Sequence, residues 1–505
     1  MTEIRIPSAP GPEPALGLGR FGAVATLLRF VRDPIAGAGR RFRRYGPVAS
    51  IVRAPVRVVN PGPGWGTGAL GTATGAGVVV ATGADVNREV LTQHERYHMI
   101  ALPGRLYPTA REASSRERPL LRTMTGLFHV NGDEHRRHRR LLMPAFHKTR
   151  IDAYRDDMVR ITQDLLDRWR PGESRDVHAD MTELTLRVAT KTLFGAEEGD
   201  RGVRLARQMQ QWLMTMFSPL MTLARADVPG LPYRRFLDLT RTIDDATVAI
   251  VRDRRARLAD TRGGGADMLS TLIATRDEDG SALDEDELIG HAGVIFAAGH
   301  ETSTNALAWT LMLLSQHPRV LRDLEDELDG ALHGAAPTVD DLTRLPLLDA
   351  VVKEGMRVLP PVPMHPRIVA EDSELATHRL PAGSEIFLSI FHMHHDADVF
   401  PDPEAFHPRR WEKAKPSVYE YNPFSAGPRM CIGASFATME IKIVLAMLLQ
   451  RFRVEMPRHA RVDPRIAITM APSGGLRMRV RRRSDRPAEA GGVRGRVRRL
   501  VRLPD

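Results

Sequence analysis

Phe424-Ser425-Ala426-Gly427-Pro428-Arg429-Met430-Cys431-Ile432-Gly433 holds the only cysteine of a 505-residue chain. The stretch from Ala434 to Leu449 follows it and reads as a well-patterned apolar helix. A cysteine just ahead of a helix N-terminus meets free N–H groups and the positive end of the helix dipole, which favour its thiolate. Gly427 and Gly433 flank it and permit unusual backbone angles and the close approach of something flat and bulky. Arg429 adds a fixed cation two residues away. A lone cysteine is commonly an inert buried hydrophobe, so the surroundings carry the reading rather than the residue.

Three other stretches stand out before this loop. In Glu354-Gly355-Met356-Arg357 the i,i+3 spacing puts both charges on one helix face, and the apolar run Leu347 to Val352 just before it suggests burial. Leu288, Ala292, Ile295, Gly299, Thr302, Ala306 and Leu313 recur at helical spacing, which predicts a long buried helix from Asp284 to Gln316. At 1.5 Å per residue it would span about 50 Å. Inside it lies Ala298-Gly299-His300-Glu301-Thr302. A mid-helix glycine costs about 1 kcal/mol against alanine, and a threonine there can simply bond back to the i−4 carbonyl. The third stretch, Gly132 to Arg140, is a basic helix face containing His135 and Arg139.

In order and spacing these stretches resemble the cytochrome P450 family, over about Arg41 to Arg477. The resemblance implies the family's fold: one mainly α domain with minor β sheets and a long central helix over a haem b. It implies that the Cys431 thiolate is the axial ligand of the haem iron, where thiolate donation favours O–O cleavage. Phe424 and Gly433 would shield and accommodate the sulfur, and Ala298 and Gly299 would line a groove over the iron. Glu301 and Thr302 match the acid–alcohol pair that relays protons. His135, Arg139, Arg367 and Arg429 match positions that neutralise the haem propionates. Glu354, Arg357 and Arg410 match a structural brace under the cysteine loop. The implied activity is that of a monooxygenase inserting one oxygen atom of O2 into a C–H or C=C bond of an apolar small molecule. A fatty acid, terpenoid, steroid or polyketide would be compatible. The soluble bacterial type of the family implies electrons from a separate ferredoxin and reductase, with Arg136, Arg137 and Arg140 as part of a docking face. The alternatives are a peroxide-driven peroxygenase and a non-catalytic haem-thiolate sensor with a protein ligand such as His300 on the sixth site.

Composition narrows the rest. The net charge is +10, but Arg477 to Asp505 carry eleven arginines against three acids, so the rest of the chain carries about +2. This points away from a nucleic-acid-binding face. Residues 480–505 read as an Arg-rich disordered tail, 1–45 as a Pro/Gly-rich N-terminal segment with a short helix at Phe21 to Arg32, and 46–479 as the catalytic domain. No run of about 18 apolar residues exists, and Met1 to Arg20 lacks the apolar core of a signal peptide. The expectation is a cytoplasmic monomer without a membrane span. Three decoys fail. Gly66-x-Gly68-x-x-Gly71 precedes a strand rather than a helix. His300-Glu301 lacks the second histidine of a zinc pair. The alternation of His392, His394 and His395 suits a strand end.

Overall fold

The computed structural model describes residues 29–52, 77–99, 114–123, 125–195, 226–260, 267–485 and 492–504, with isolated positions at 26 and between 204 and 215. Residues 66–71, Met214, Met216 and Met221 lie outside the described residues. A five-stranded sheet contains β1 (Val48–Val52), β2 (Val78–Ala81), β3 (Tyr97–Met99), β4 (Met364–Val369) and β5 (Glu385–Ser389). Its spatial order is β1-β2-β5-β4-β3. Only the β2–β5 pairing is parallel. The register sets Arg367 of β4 opposite Met99 of β3, which brings that arginine to the sheet edge beside the helical body.

The helices used below are α1 (Pro34–Tyr45), α2 (Arg118–Thr123), α3 (Gly132–Leu142), α4 (Val177–Phe194), α5 (Pro232–Asp260), α6 (Glu285–Gln316), α7 (Pro346–Val358), α8 (Ile390–His394) and α9 (Ala434–Arg451). α6 is the expected long helix. Its start is fixed by a capping box: Glu287 N–H donates to Asp284 Oδ1 at 2.7 Å, and Asp284 N–H donates to Glu287 Oε2 at 2.9 Å. Three acids in the first turn favour the dipole. Its second half is buried all round, with Leu307, Trp309, Leu311, Met312 and Leu313 fully enclosed. Each such side chain contributes roughly 1.5–3 kcal/mol through burial. α4 and α9 pack against it in one dominant core.

Three expectations change. Much of the helix expected at Phe21 to Arg32 lies outside the described residues, and a helix not expected, α1, is started by Asp33, whose Oδ1 accepts from Ala36 N–H, with Pro34 at its first position. The His392–His395 cluster is helical, because Ser389 caps α8 and His395 Nδ1 bonds the Phe391 carbonyl. Finally, the described residues of the C-terminal stretch are ordered. The boundary at 479/480 falls inside a strand, Arg477–Arg482, paired with Phe452–Glu455 and Ser174–Asp176. Beyond it, Val493, Val497, Leu500, Val501 and Leu503 are buried in the main core. Arg502 N–H donates to the Glu404 carbonyl at 2.8 Å, and the Arg502 guanidinium pairs with Asp402. Burial of five apolar side chains offsets the ordering cost that an all-arginine segment could not meet.

Candidate active site

Cys431 sits three residues ahead of α9, held by its N–H on the Phe424 carbonyl at 2.8 Å. Gly427 is needed there on two counts: its φ is +68°, and a Cβ would fall 2.4 Å from the Leu91 carbonyl oxygen. This turn therefore docks the loop on the chain around Leu91, not on a flat ligand. Gly433 has an ordinary φ of −91°. A Cβ on it would lie 4.0 Å from Sγ, so its contribution is space beside the sulfur rather than backbone freedom.

The loop rests on the brace expected from Glu354-x-x-Arg357. Glu354 and Arg357 are fully buried on α7. Arg357 donates to both Glu354 oxygens at 3.0 and 2.9 Å and to the carbonyls of His394, Pro403 and Ala405 at 2.8–2.9 Å. All five donors are used. Glu354 also accepts from Arg410 Nε at 2.9 Å, Trp411 Nε1 at 3.0 Å and His407 N–H at 2.9 Å.

In front of Cys431 opens a mostly apolar cavity of about 430 Å³. All eleven residues singled out in the sequence line it: His135, Arg139, Ala298, Gly299, Glu301, Thr302, Arg367, Phe424, Arg429, Cys431 and Gly433. Cys431 is exposed to this hollow yet deep within the protein. Burial raises its thiol above the ordinary range, outweighing the Gly433 N–H and Arg139 that favour the thiolate.

Thr302 Oγ1 donates to the Ala298 carbonyl at 2.9 Å, the ordinary i−4 bond. Glu301 Oε1 accepts from Thr469 Oγ1 at 2.9 Å, so the acid is tied to the turn that closes the far wall. A Cβ on Gly299 would meet nothing within 4 Å, which leaves the groove open at that level. His300 is buried, with its Nδ1 on the Phe296 carbonyl at 2.9 Å, and is not among the lining residues.

Arg139, Arg367 and Arg429 have no acidic partner among the described residues. Arg139 donates to the Met430 carbonyl at 2.8 Å. Arg367 contacts Met99 Sδ and the Pro366 carbonyl, and Arg429 holds the Leu127 and Val130 carbonyls and Asn131 Oδ1. Burial pushes Arg367 down to about 10 and Arg429 to about 9, the latter helped by its two arginine neighbours. The same field acts on the histidines. Burial, then Arg429 and Arg139, takes His135 to about 3; burial and Arg367 take His365 to about 3. Such a positive hollow calls for an anion, because isolated buried charge is costly. The two carboxylates of a haem fit these cations, with the thiol of Cys431 facing the same space.

A family model described as cytochrome P450 matches residues 79–476. The chain belongs to this family. Its relatives include cyclooctat-9-en-7-ol 5-monooxygenase of Streptomyces melanosporofaciens, 33% identical over 64% of this chain and 71% of that protein. Pentalenene oxygenase of Streptomyces avermitilis is 32% identical over 70% of this chain and 78% of its own. A solved structure of retinoic-acid-bound cyanobacterial CYP120A1 superposes with a TM-score of 0.76 at 23% identity, covering 94% of this chain and all of that one. It shares the fold. Cytochrome P450s are haem-dependent oxidoreductases, and this one is a monooxygenase by family. Among the described residues no helix is long and apolar enough to cross a membrane.

Residues in and behind the cavity wall escaped the sequence reading. Asn131 takes a guanidinium and the Met99 N–H on one oxygen. His365 and Asp244 line the cavity. Only the His365-Pro366-Arg367 neighbourhood offered a signal. The expected basic docking face also changes. Arg136 pairs with Glu95 and Asp133, Arg137 with Glu287, and Arg140 with Asp277, so these three offer little uncompensated charge.

Proposed function

We propose that this cytochrome P450 oxygenates an apolar, carbon-rich small molecule, drawing electrons from separate carriers, with Cys431 as the haem iron ligand. What carries the reading is the convergence, in one apolar cavity, of the single cysteine with three arginines, Arg367 buried and Arg139 and Arg429 half-buried, that have no acidic partner among the described residues. Haem held by a thiolate supplies dioxygen activation when bound. Arg139, Arg367, Arg429 and His135 would bind and orient its carboxylates. The thiol proton of Cys431 leaves on ligation, and Gly433 N–H and Arg139 then stabilise the sulfur's charge.

Thr302 would hold a water over the groove. Its oxygen accepts while its hydrogen rests on Ala298, and turning off that carbonyl frees a donor. Glu301, steadied by Thr469, would exchange protons with that water. The intact pair favours dioxygen over peroxide as oxidant. The sensor alternative loses its ligand, since His300 is turned to Phe296. The two relatives above are named for an unsaturated alcohol and for an alkene, which supports a largely hydrocarbon substrate.

The test is the reduced, carbon-monoxide-bound absorption spectrum of wild type and Cys431→Ala. A strongly red-shifted Soret band, lost in the variant, is expected. Its absence from a haem-reconstituted wild type would overturn the reading. Thr302→Ala should then waste reducing equivalents as peroxide while substrate binding is kept.

A further inference from the structure

Away from the arginines the cavity has a second polar patch, where α2, α5 and α6 meet. α5 turns Thr240, Asp244 and Thr247 towards it, the spacing of one helical face. Thr123 at the end of α2 adds another hydroxyl. Each threonine has spent its hydrogen on its own segment: Thr123 on the Leu120 carbonyl at 2.7 Å, Thr240 on Phe236 and Thr247 on Ile243, both at 2.8 Å. What remains on them is lone pairs, and one of Thr240's already accepts from Trp212 Nε1 at 2.6 Å.

Asp244 completes the patch. Its residue is 4% exposed, and Oδ2 accepts from Arg122 Nη1 at 3.0 Å. Oδ1 has no hydrogen-bond partner among the described residues. The carboxyl is pushed up to about 6, by burial first and by Asp245 and Asp286 besides, against the pull of Arg122. The patch thus offers acceptors and no free donor.

Arg122 cannot follow a ligand, because its Nε pairs with Asp286 at 2.9 Å. Its segment is clamped to α6: a Cβ on Gly290 would fall 2.2 Å from Thr125 Oγ1, which donates to the Asp286 carbonyl at 2.7 Å. Asp244 therefore keeps a compensated charge and one unused oxygen. A neutral donor suits that better than a second cation, whose desolvation in an apolar hollow is costly.

We propose that this patch anchors a hydroxyl group of an otherwise apolar substrate, with Asp244 Oδ1 as the acceptor. The proposal deepens the substrate class given above and rests on that reading of the cavity. The register on α6 adds a length. Arg122 ties Asp244 to the level of Asp286, and Ala298 lies twelve residues further on. At 1.5 Å per residue the two levels are about 18 Å apart. The carbon that is oxidised then lies at the far end of the molecule from the anchored hydroxyl.

The probes are 1-dodecanol and its methyl ether, 1-methoxydodecane, which keeps the oxygen and loses the donor. Dissociation constants are measured by calorimetry on wild-type holoenzyme, Asp244→Leu and Asp244→Asn. Leucine removes the acceptor while Arg122 keeps Asp286; asparagine restores an acceptor oxygen. Wild type should prefer the alcohol by about tenfold or more, the strength of a hydrogen bond to a charged group. The leucine variant should bring the ratio near one by weakening alcohol binding alone, and asparagine should recover part of it. A wild-type ratio near one, or a ratio unchanged by leucine, overturns the anchor. Should leucine not fold, Asp244→Ala removes the same acceptor. The reduced carbon-monoxide spectrum is taken first on each protein. If wild type lacks the red-shifted band, the haem reading fails by itself, and the same titrations on the apoprotein still decide the anchor.

Discussion

Two groups of arginines serve the cysteine loop in opposite ways. Arg357 and Arg410 end on Glu354 and on main-chain carbonyls, with every Arg357 donor taken. Arg367 is buried and Arg139 and Arg429 are half-buried, and the three touch carbonyls, an amide and a thioether, and no carboxylate among the described residues. Residue type does not separate the groups; the origin of the counter-charge does. A cluster whose charges cancel within the chain is scaffold. A cluster that keeps a surplus is shaped for a charge that arrives from outside.

The sharpest way to break this contrast is Glu354→Ala. It leaves Arg357 and Arg410 buried without their acid, and loss of one partner from a buried pair costs about 3–5 kcal/mol. The unfolding midpoint in denaturant should fall accordingly, and haem should load poorly. Arg367→Leu is the opposite case. Removing an uncompensated cation should leave the apoprotein as stable as wild type or more stable, by about 1 kcal/mol or more. The holoprotein should release haem at least tenfold faster in a transfer assay to a haem scavenger. Loss of stability in the apoprotein would show that Arg367 is scaffold after all.

Acidity gives a third handle. His365 has its folded-state value held near 3, by burial and then by Arg367, against about 6.5 when unfolded. Between those values the unfolded chain binds a proton that the folded chain refuses. This part of the stability is therefore complete above about pH 6.5 and is lost as pH falls towards 3. His365→Gln should reduce the slope of apoprotein stability against pH in that window by up to about 1.4 kcal/mol per pH unit. With haem bound, a carboxylate on Arg367 removes one of the two causes, and the wild-type slope should itself flatten. Last comes Arg409→Ala. Arg409 adjoins Arg410 in sequence but is half exposed, paired with Asp323 and Glu412 on the surface. Its loss should leave the unfolding midpoint unmoved, because solvent and salt screen such pairs.

The same contrast explains what could be read from the sequence. The cysteine loop, the Glu354–Arg357 pair and the long helix are local patterns. Their chemistry sits within a few residues, or recurs at 3.6-residue spacing, so one stretch of chain suffices. His365 reaches the cavity from a strand, and Asn131, at a helix start, stands behind it holding Arg429; the two become neighbours of the site only through register such as Met99 opposite Arg367. No local pattern marks them. Asp244 is hidden differently: one acid in a mixed helix face reads as solvated until the fold closes over it. The C-terminal stretch was misjudged on composition. Val493, Val497, Leu500 and Val501 are spaced by four, three and one, a stripe that four interleaved arginines conceal in any average.

That stripe has an electrical consequence. Charges on a floating tail are averaged over every direction the tail visits, and from a distance they cancel into a diffuse cloud. Here Arg496 is held by the Pro464 carbonyl, Arg498 by those of Val493 and Leu503, and Arg502 by Asp402. Their positions are fixed relative to the cavity, so the charge that Asp402 and Asp463 leave uncompensated there keeps a definite direction. An acidic surface approaching through water exerts a torque on the molecule before any contact is made, and the two meet already turned.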